Sequence, residues 1–219
     1  IVLFFVREPH IETTETQLKD EPGLLDNLRK VVAGTDRGGM YLLGAIFCWF
    51  VGWNAMEAFF TIYARNVLQI DVGTGTQMLT AFAATLILFA IPSGLIATRF
   101  GRKPTIITGL AGMLVGLIAG FFIRDQTMLL ITLAVMGAFW ALVNINSLPM
   151  VYDLGGEKSI GALTGLYYFS SSAAAITGPI LAGWFIDIAG HSSIWPFSGL
   201  FLLLAGLLML RIQTKTSPT

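Results

Sequence analysis

The chain has 219 residues, of which 55% are hydrophobic and 12% charged, and its mean hydropathy is +0.75. That lies well to the apolar side of a soluble domain and predicts a membrane protein. Thirteen basic residues balance thirteen acidic ones, which argues against a nucleic-acid partner, and a single cysteine, Cys48, excludes an intrachain disulfide.

Taken in order, IVLFFVREPH at the start reads as six apolar residues running straight into charge. Residues 1–6 are therefore expected to be the end of a preceding transmembrane helix, and the sequence a fragment. Residues 7–37 are the one long polar stretch. Within it Leu24, Leu25, Leu28, Val31 and Val32 share a helical face opposite Asp26, Arg29 and Lys30. That pattern fits a short amphipathic helix on the membrane surface, or equally an ordinary connector. A bilayer core of about 30 Å takes about 20 apolar residues as helix. Six such runs follow, at 39–64, 76–98, 104–123, 127–150, 161–186 and 194–211, joined by short polar connections such as RFGRKP and IAGHSS. Residues 38–212 are thus expected to form one six-helix, all-α membrane bundle, with 213–219 as a tail.

The cations divide unevenly between the two sides. The side carrying residues 7–37 also carries Arg99, Arg102, Lys103, Lys158, Arg211 and Lys215, eleven basic residues in all, against Arg65 and Arg124 opposite. The positive-inside rule places residues 7–37 and the carboxyl end in the cytoplasm. The second and fifth runs end alike, as GLIATRFG (Gly94 to Gly101) and GWFIDIAG (Gly183 to Gly190), each preceded by a proline, Pro92 and Pro179. Their positions as middle helices of consecutive triplets suggest an inverted three-plus-three repeat. In the third run Gly112, Gly116 and Gly120 form a double GxxxG, read as close helix packing.

Gly94, Arg99, Gly101, Arg102 and Lys103 sit in GLIATRFGRK, which resembles the G-x-x-x-D-R-x-G-R-[KR] loop signature of major facilitator superfamily transporters, with Thr98 at the acidic position. SLPMVYDLGGEKSIGALTGLYYFSSSAAAITGPILAG resembles the tenth and eleventh helices of sugar-type facilitators, with Asp153 closing one helix and Gly178-Pro179 breaking the next. The resemblance implies the carboxy-terminal six helices of a twelve-helix carrier whose amino-terminal half is missing. It implies a multi-pass protein of a bacterial-type inner membrane and no cofactor beyond a proton gradient.

In such carriers the solute sits between the halves near mid-membrane, so polar and aromatic residues deep in the runs are the binding candidates. In the first run Trp49, Trp53 and Glu57 are four apart, with Asn54 and Phe60 flanking. An ionisable residue at that depth costs about 2.5–3.5 kcal/mol on insertion scales. Glu57 is accordingly expected to serve proton coupling or hydroxyl binding, or else to be a protonated or paired structural acid. The fourth run offers Trp140 and Asn144 on one face, near Asn146 and Ser147; the fifth offers Tyr167, Tyr168 and Ser171. Interhelical hydrogen bonding is a competing role for the asparagines, as small-residue packing is for the serines. Gly178 and Pro179 are read as a hinge. His10 and His191 fall in loops, and no metal-ligand spacing or phosphate loop appears, so an enzyme is not expected. The expected function is proton-coupled transport of a small polar solute, a sugar or glycoside. The alternatives are export of drug-like or apolar solutes and a non-transporting membrane scaffold or receptor.

Overall fold

In the computed structural model residues 38–155 and 160–212 are described. The expectations for residues 1–6, 7–37 and 213–219, and the charge on Lys158, fall outside them. The elements are α1 (Gly38–Leu68), α2 (Val72–Phe100), α3 (Arg102–Phe122), α4 (Gln126–Gly155), α5 (Ile160–Ala189), a 3-10 turn (His191–Ser193) and α6 (Ile194–Arg211). All six helices are long and apolar enough to cross a membrane, and the protein is an all-α membrane protein. Five helices contain their apolar runs and α3 stops one residue short of its own, at Phe122; most overrun the run at one or both ends, because hydropathy marks the hydrocarbon core while backbone hydrogen bonding continues into the interface. A proline inside a helix removes one backbone hydrogen bond, yet α4 continues past Pro149 to Gly155, and Pro92 and Pro179 likewise lie inside α2 and α5. Neighbouring helices stabilise such interruptions where no water competes.

Contacts at the two ends show that successive helices run up and down. At one end Arg102 and Lys103, opening α3, reach Asp153 near the end of α4 and the carbonyl of Ile212 just past α6. At the other, Asn66 of α1 meets His191, and Arg124 after α3 meets Tyr63 of α1. The turn at Gly101 closes the first, the Gly101 end, and the turn at Gly190 the second, the Gly190 end.

The three-plus-three repeat is visible in the packing. α1 packs chiefly on α5 and α6, α4 on α2 and α3, and α3 also on α6, whereas consecutive helices within one triplet touch less. The two triplets therefore interlock. The turns between second and third helices match as well: Gly101 has φ 90° and Gly190 φ 80°. The amide of each donates to the carbonyl four residues back, Gly101 to Ala97 at 2.9 Å and Gly190 to Ile186 at 2.7 Å. The hydroxyls of Thr105 and Ser193 each donate to the glycine carbonyl at 2.7 Å. A Cβ at such φ would be strained, which explains glycine at both positions.

Glycine also closes the four main crossings between triplets. A Cβ on Gly178 would come 2.8 Å from the Val51 carbonyl oxygen (α5 on α1), and on Gly52 2.9 Å from that of Ser198 (α1 on α6). One on Gly109 would come 2.7 Å from that of Phe139 (α3 on α4), and one on Gly137 would strike the Phe82 carbonyl oxygen (α4 on α2). The double GxxxG lies inside the bundle: Gly112 and Gly116 meet Phe139 and Met136 of α4, and Gly120 meets Trp195 of α6. In lipid, where apolar surface alone drives little helix association, such backbone approach supplies dispersion contact. Hydroxyls add matching links: Ser170 of α5 donates to the Leu43 carbonyl of α1 at 2.9 Å, and Thr85 of α2 to the Ala134 carbonyl of α4 at 2.6 Å.

Candidate functional site in the α1 and α4 face

With α6 and α3 behind them and α5 and α2 alongside, α1 and α4 keep one side uncovered. On α1, Gly52 and Tyr63 face α6, and Val51 meets α5. That leaves Phe50, Asn54, Glu57 and Thr61 as a stripe on the open side; Glu57 is exposed and the other three are half-buried. Glu57 makes no hydrogen bond or ion pair among the described residues, and Asn144 on α4 is half-buried with its side-chain amide equally uncommitted. Asn54 is otherwise engaged, since its amide donates to the Phe50 carbonyl at 2.7 Å.

An aromatic cluster ties this face together. Trp53 stacks on Phe82 of α2, with ring centroids 3.9 Å apart, and lies 5.4 Å from Trp140 of α4. Phe50 meets Trp140 edge-on at 5.8 Å and Tyr167 of α5 at 6.3 Å, so one ring touches two neighbouring helices. Tyr168 continues the chain of rings from Tyr167 at 5.3 Å and is exposed. Polar groups behind the rings are paired. The hydroxyls of Tyr167 and Ser147 lie 3.0 Å apart, and Ser147 donates to the Asn144 carbonyl at 2.8 Å. Asn146 bridges α4 to α2 through the Ser93 carbonyl at 3.4 Å while bonding Leu142 of its own helix at 3.0 Å. Ser171 donates to the Tyr168 carbonyl at 3.2 Å.

The structure divides the residues that spacing grouped together. Trp49 and Phe60 are fully buried in the bundle interior, the latter edge-on to Trp195 of α6 at 6.3 Å, so neither shares a face with Glu57. The physical reason is helical pitch: an eight-residue step from Trp49 to Glu57 overshoots two turns by about 80°, whereas the seven-residue step from Phe50 leaves about 20°. Phe50, missed in the sequence, is legible by that count. Phe82 is not, because only tertiary packing brings it against Trp53. Gly178 sits where α5 meets the α1 backbone, with α5 unbroken through Pro179.

In the loop, Arg102 pairs with the Asp153 carboxylate and donates to the Pro149 carbonyl at 2.9 Å, while Lys103 reaches the Ile212 carbonyl at 2.6 Å. Arg99 is exposed, its guanidinium 5.3 Å from the Phe100 ring centroid. Thr98, at the acidic position, bonds the Leu95 carbonyl of its own helix at 2.8 Å, and a Cβ on Gly94 would meet nothing within 4 Å. Among the described residues no cluster of three His, Cys, Asp or Glu side chains is placed to hold a metal.

A crystal structure of a variant of the peptide transporter POT in complex with sulfate superimposes with a TM-score of 0.74 at 16% identity, covering 87% of this chain and 41% of that one, and so shares the fold. The multidrug resistance protein MdtH of Yersinia pestis (strain Pestoides F) is 25% identical over 173 residues, 77% of this chain and 39% of its own. MdtH of Yersinia pseudotuberculosis serotype O:1b (strain IP 31758) matches to the same extent. The chain spans about two-fifths of the length of each of these proteins. Residues 42–219 match the family model described as Major Facilitator Superfamily, and with six interlocked membrane-spanning helices around an α1/α4 face, the chain belongs to that family.

Proposed function

We propose that these residues form the carboxy-terminal six-helix half of a twelve-helix secondary carrier, and that the complete protein exports apolar or drug-like solutes by proton-coupled alternating access. The two-fifths coverage of longer relatives supports a missing amino-terminal half. So do α2 and α5, the least covered helices, which expose Ile87, Leu88 and Ile91, and Ile176, Ile180 and Trp184. The Gly101 end, with Arg99, Arg102, Lys103 and Arg211, is the cytoplasmic side of an inner membrane by the positive-inside rule.

The observation that carries the solute reading is the inventory of uncommitted polar groups on the α1/α4 face. A sugar needs several convergent donors and acceptors. Among the described residues Asn54, Ser171, Ser147 and Tyr167 are already hydrogen-bonded, leaving Glu57, Asn144 and the Thr61 and Tyr168 hydroxyls amid aromatic rings. Rings plus one carboxylate suit an apolar or cationic solute better, and the MdtH relatives are named for multidrug resistance. Glu57, uncommitted and flanking the rings, is the proton-coupling group, with Gly178-Pro179 as the flexible point of α5.

Counterflow with a lipophilic cation, set against a panel of sugars, tests the reading in the complete carrier. Exchange of the cation and not of sugars is expected, with gradient-driven efflux lost in Glu57→Gln while counterflow survives. Sugar exchange would restore the sugar-symport reading drawn from the sequence. A protein that exchanges neither, and that no solute stabilises against heat, is a scaffold or receptor.

A further inference from the structure

A groove of about 370 Å³ runs between α3 and α6 on the side of the bundle away from the α1/α4 face. Leu114, Ile118 and Phe122 form one wall and Trp195, Gly199 and Leu203 the other; among the described residues no charged or hydrogen-bonding side chain other than the Trp195 indole lines it. Gly199 leaves it wide, since a Cβ there would meet only Leu114, at 3.6 Å. Ile118, Phe122 and Leu203 are exposed at 55%, 72% and 46%, so the groove opens outward along the helices. From Leu114 to Phe122 is about 12 Å of helix rise, close to the roughly 15 Å that one leaflet contributes to the hydrocarbon core. The groove therefore has the depth of one acyl chain and lies in the leaflet at the Gly190 end.

A cation stands at its mouth. Arg124 follows Phe122 by two residues and donates through Nη1 to the carbonyls of Phe121 (2.9 Å) and Ile123 (3.3 Å) and to the Tyr63 hydroxyl (3.2 Å). Tyr63 in turn packs edge-on to Trp195, a groove residue, at 5.5 Å. These bonds hold the guanidinium beside the groove through one nitrogen only; it is exposed and makes no ion pair among the described residues. The neighbouring carboxylate, Asp125, is occupied in accepting the Met128 amide at 2.8 Å.

We propose that this groove is a binding site for one anionic phospholipid of the leaflet at the Gly190 end, an acyl chain lying between α3 and α6 with its phosphate on Arg124. The apolar walls supply affinity for any chain, and the guanidinium, which pairs with phosphate through two parallel N–H donors, supplies headgroup preference.

Native mass spectrometry of the intact carrier, released from neutral detergent, tests this with dioleoylphosphatidylglycerol and, as the zwitterionic control, dioleoylphosphatidylcholine. One phosphatidylglycerol is expected to bind about tenfold more tightly than phosphatidylcholine, as one charge-assisted contact provides. Arg124→Gln should erase that preference, and Ile118→Trp, which fills the groove at an exposed position, should weaken both lipids while leaving the lipid-free unfolding temperature unchanged. Equal binding of the two lipids by the unaltered protein overturns the proposal. So does unchanged phosphatidylglycerol binding in Ile118→Trp, which decides the matter even if Arg124→Gln fails to fold. A two-copy species that Ile118→Trp abolishes would assign the groove to a second chain and overturn it as well.

Discussion

The turns at Gly101 and Gly190 have the same backbone and different chemistry. Both place a glycine at positive φ, both return its amide to the carbonyl four residues back, and both take a hydroxyl from the following helix onto the glycine carbonyl. Yet after Gly101 come Arg102 and Lys103, which clamp the ends of α4 and α6, and after Gly190 comes His191, whose ring meets the Asn66 amide at 3.0 Å. Repetition of a backbone thus preserves what chain geometry requires, glycine and a capping hydroxyl. The charges answer to the side of the membrane on which each turn ends, and they differ because the two sides differ.

The comparison is sharpest where it predicts equal effects. The largest concern the related crossings at Gly137 and Gly178, each set against a backbone carbonyl of the other triplet. Valine at either should force the helices apart and cost about 3 kcal/mol, read as a lowered unfolding temperature in detergent, and a much smaller loss at one would break the equivalence. Next, Gly101→Val and Gly190→Val should each cost about 2 kcal/mol, because a Cβ would meet nothing at Gly190 and only the Pro104 ring, at an ordinary 3.5 Å, at Gly101, so backbone strain is what separates valine from glycine. The chemical difference between the ends is a smaller matter for stability. Arg102 and Asp153 are 36% and 56% exposed, so a double-mutant cycle through Arg102→Gln and Asp153→Asn should give a coupling of about 0.5–1 kcal/mol that falls with added salt, with nothing comparable from Asn66 and His191.

The smallest effect is electrostatic and lies at the Gly190 end, in the α1–α2 connection. The Thr74 hydroxyl and then the Thr74 amide hold the Asp71 carboxyl below its usual range while Asp71 caps α2. A depressed carboxylate stabilises the fold above its unfolded value of about 3.9 and ceases to as pH falls through the folded value. Asp71→Ala should therefore lower the unfolding temperature slightly at pH 7, and the difference from the unaltered protein should vanish on acidification. A difference that persists at low pH would assign the effect to packing.

Much of this architecture was legible along the chain. Six apolar runs became six helices because a helix satisfies its own backbone in lipid, so length and hydropathy suffice to find it. GLIATRFG and GWFIDIAG disclosed the repeat, since positive φ leaves glycine little competition. Placement of side chains was harder to read. Trp49 and Glu57 stand at a helical spacing, but whether a residue on an all-apolar helix faces a neighbour or the open side depends on which neighbours arrive. Trp49 went inside, and Phe50 took its place among the rings. Pro149, a stop by local rules, was carried through by its surroundings.

By itself, then, the sequence determined what each segment must do to meet the bilayer: which stretches cross it, where the turns need glycine, and which end holds the cations. These are demands of local covalent geometry and of transfer from water, and neighbours do not alter them. Only the tertiary structure decided that the triplets interlock, that Gly52, Gly109, Gly137 and Gly178 each receive a backbone carbonyl from the other triplet, and that among the described residues Glu57 and Asn144 stay uncommitted while Asn54 and Ser171 do not. Inside a membrane nearly every face is apolar, so hydropathy carries no address, and burial is assigned by shape.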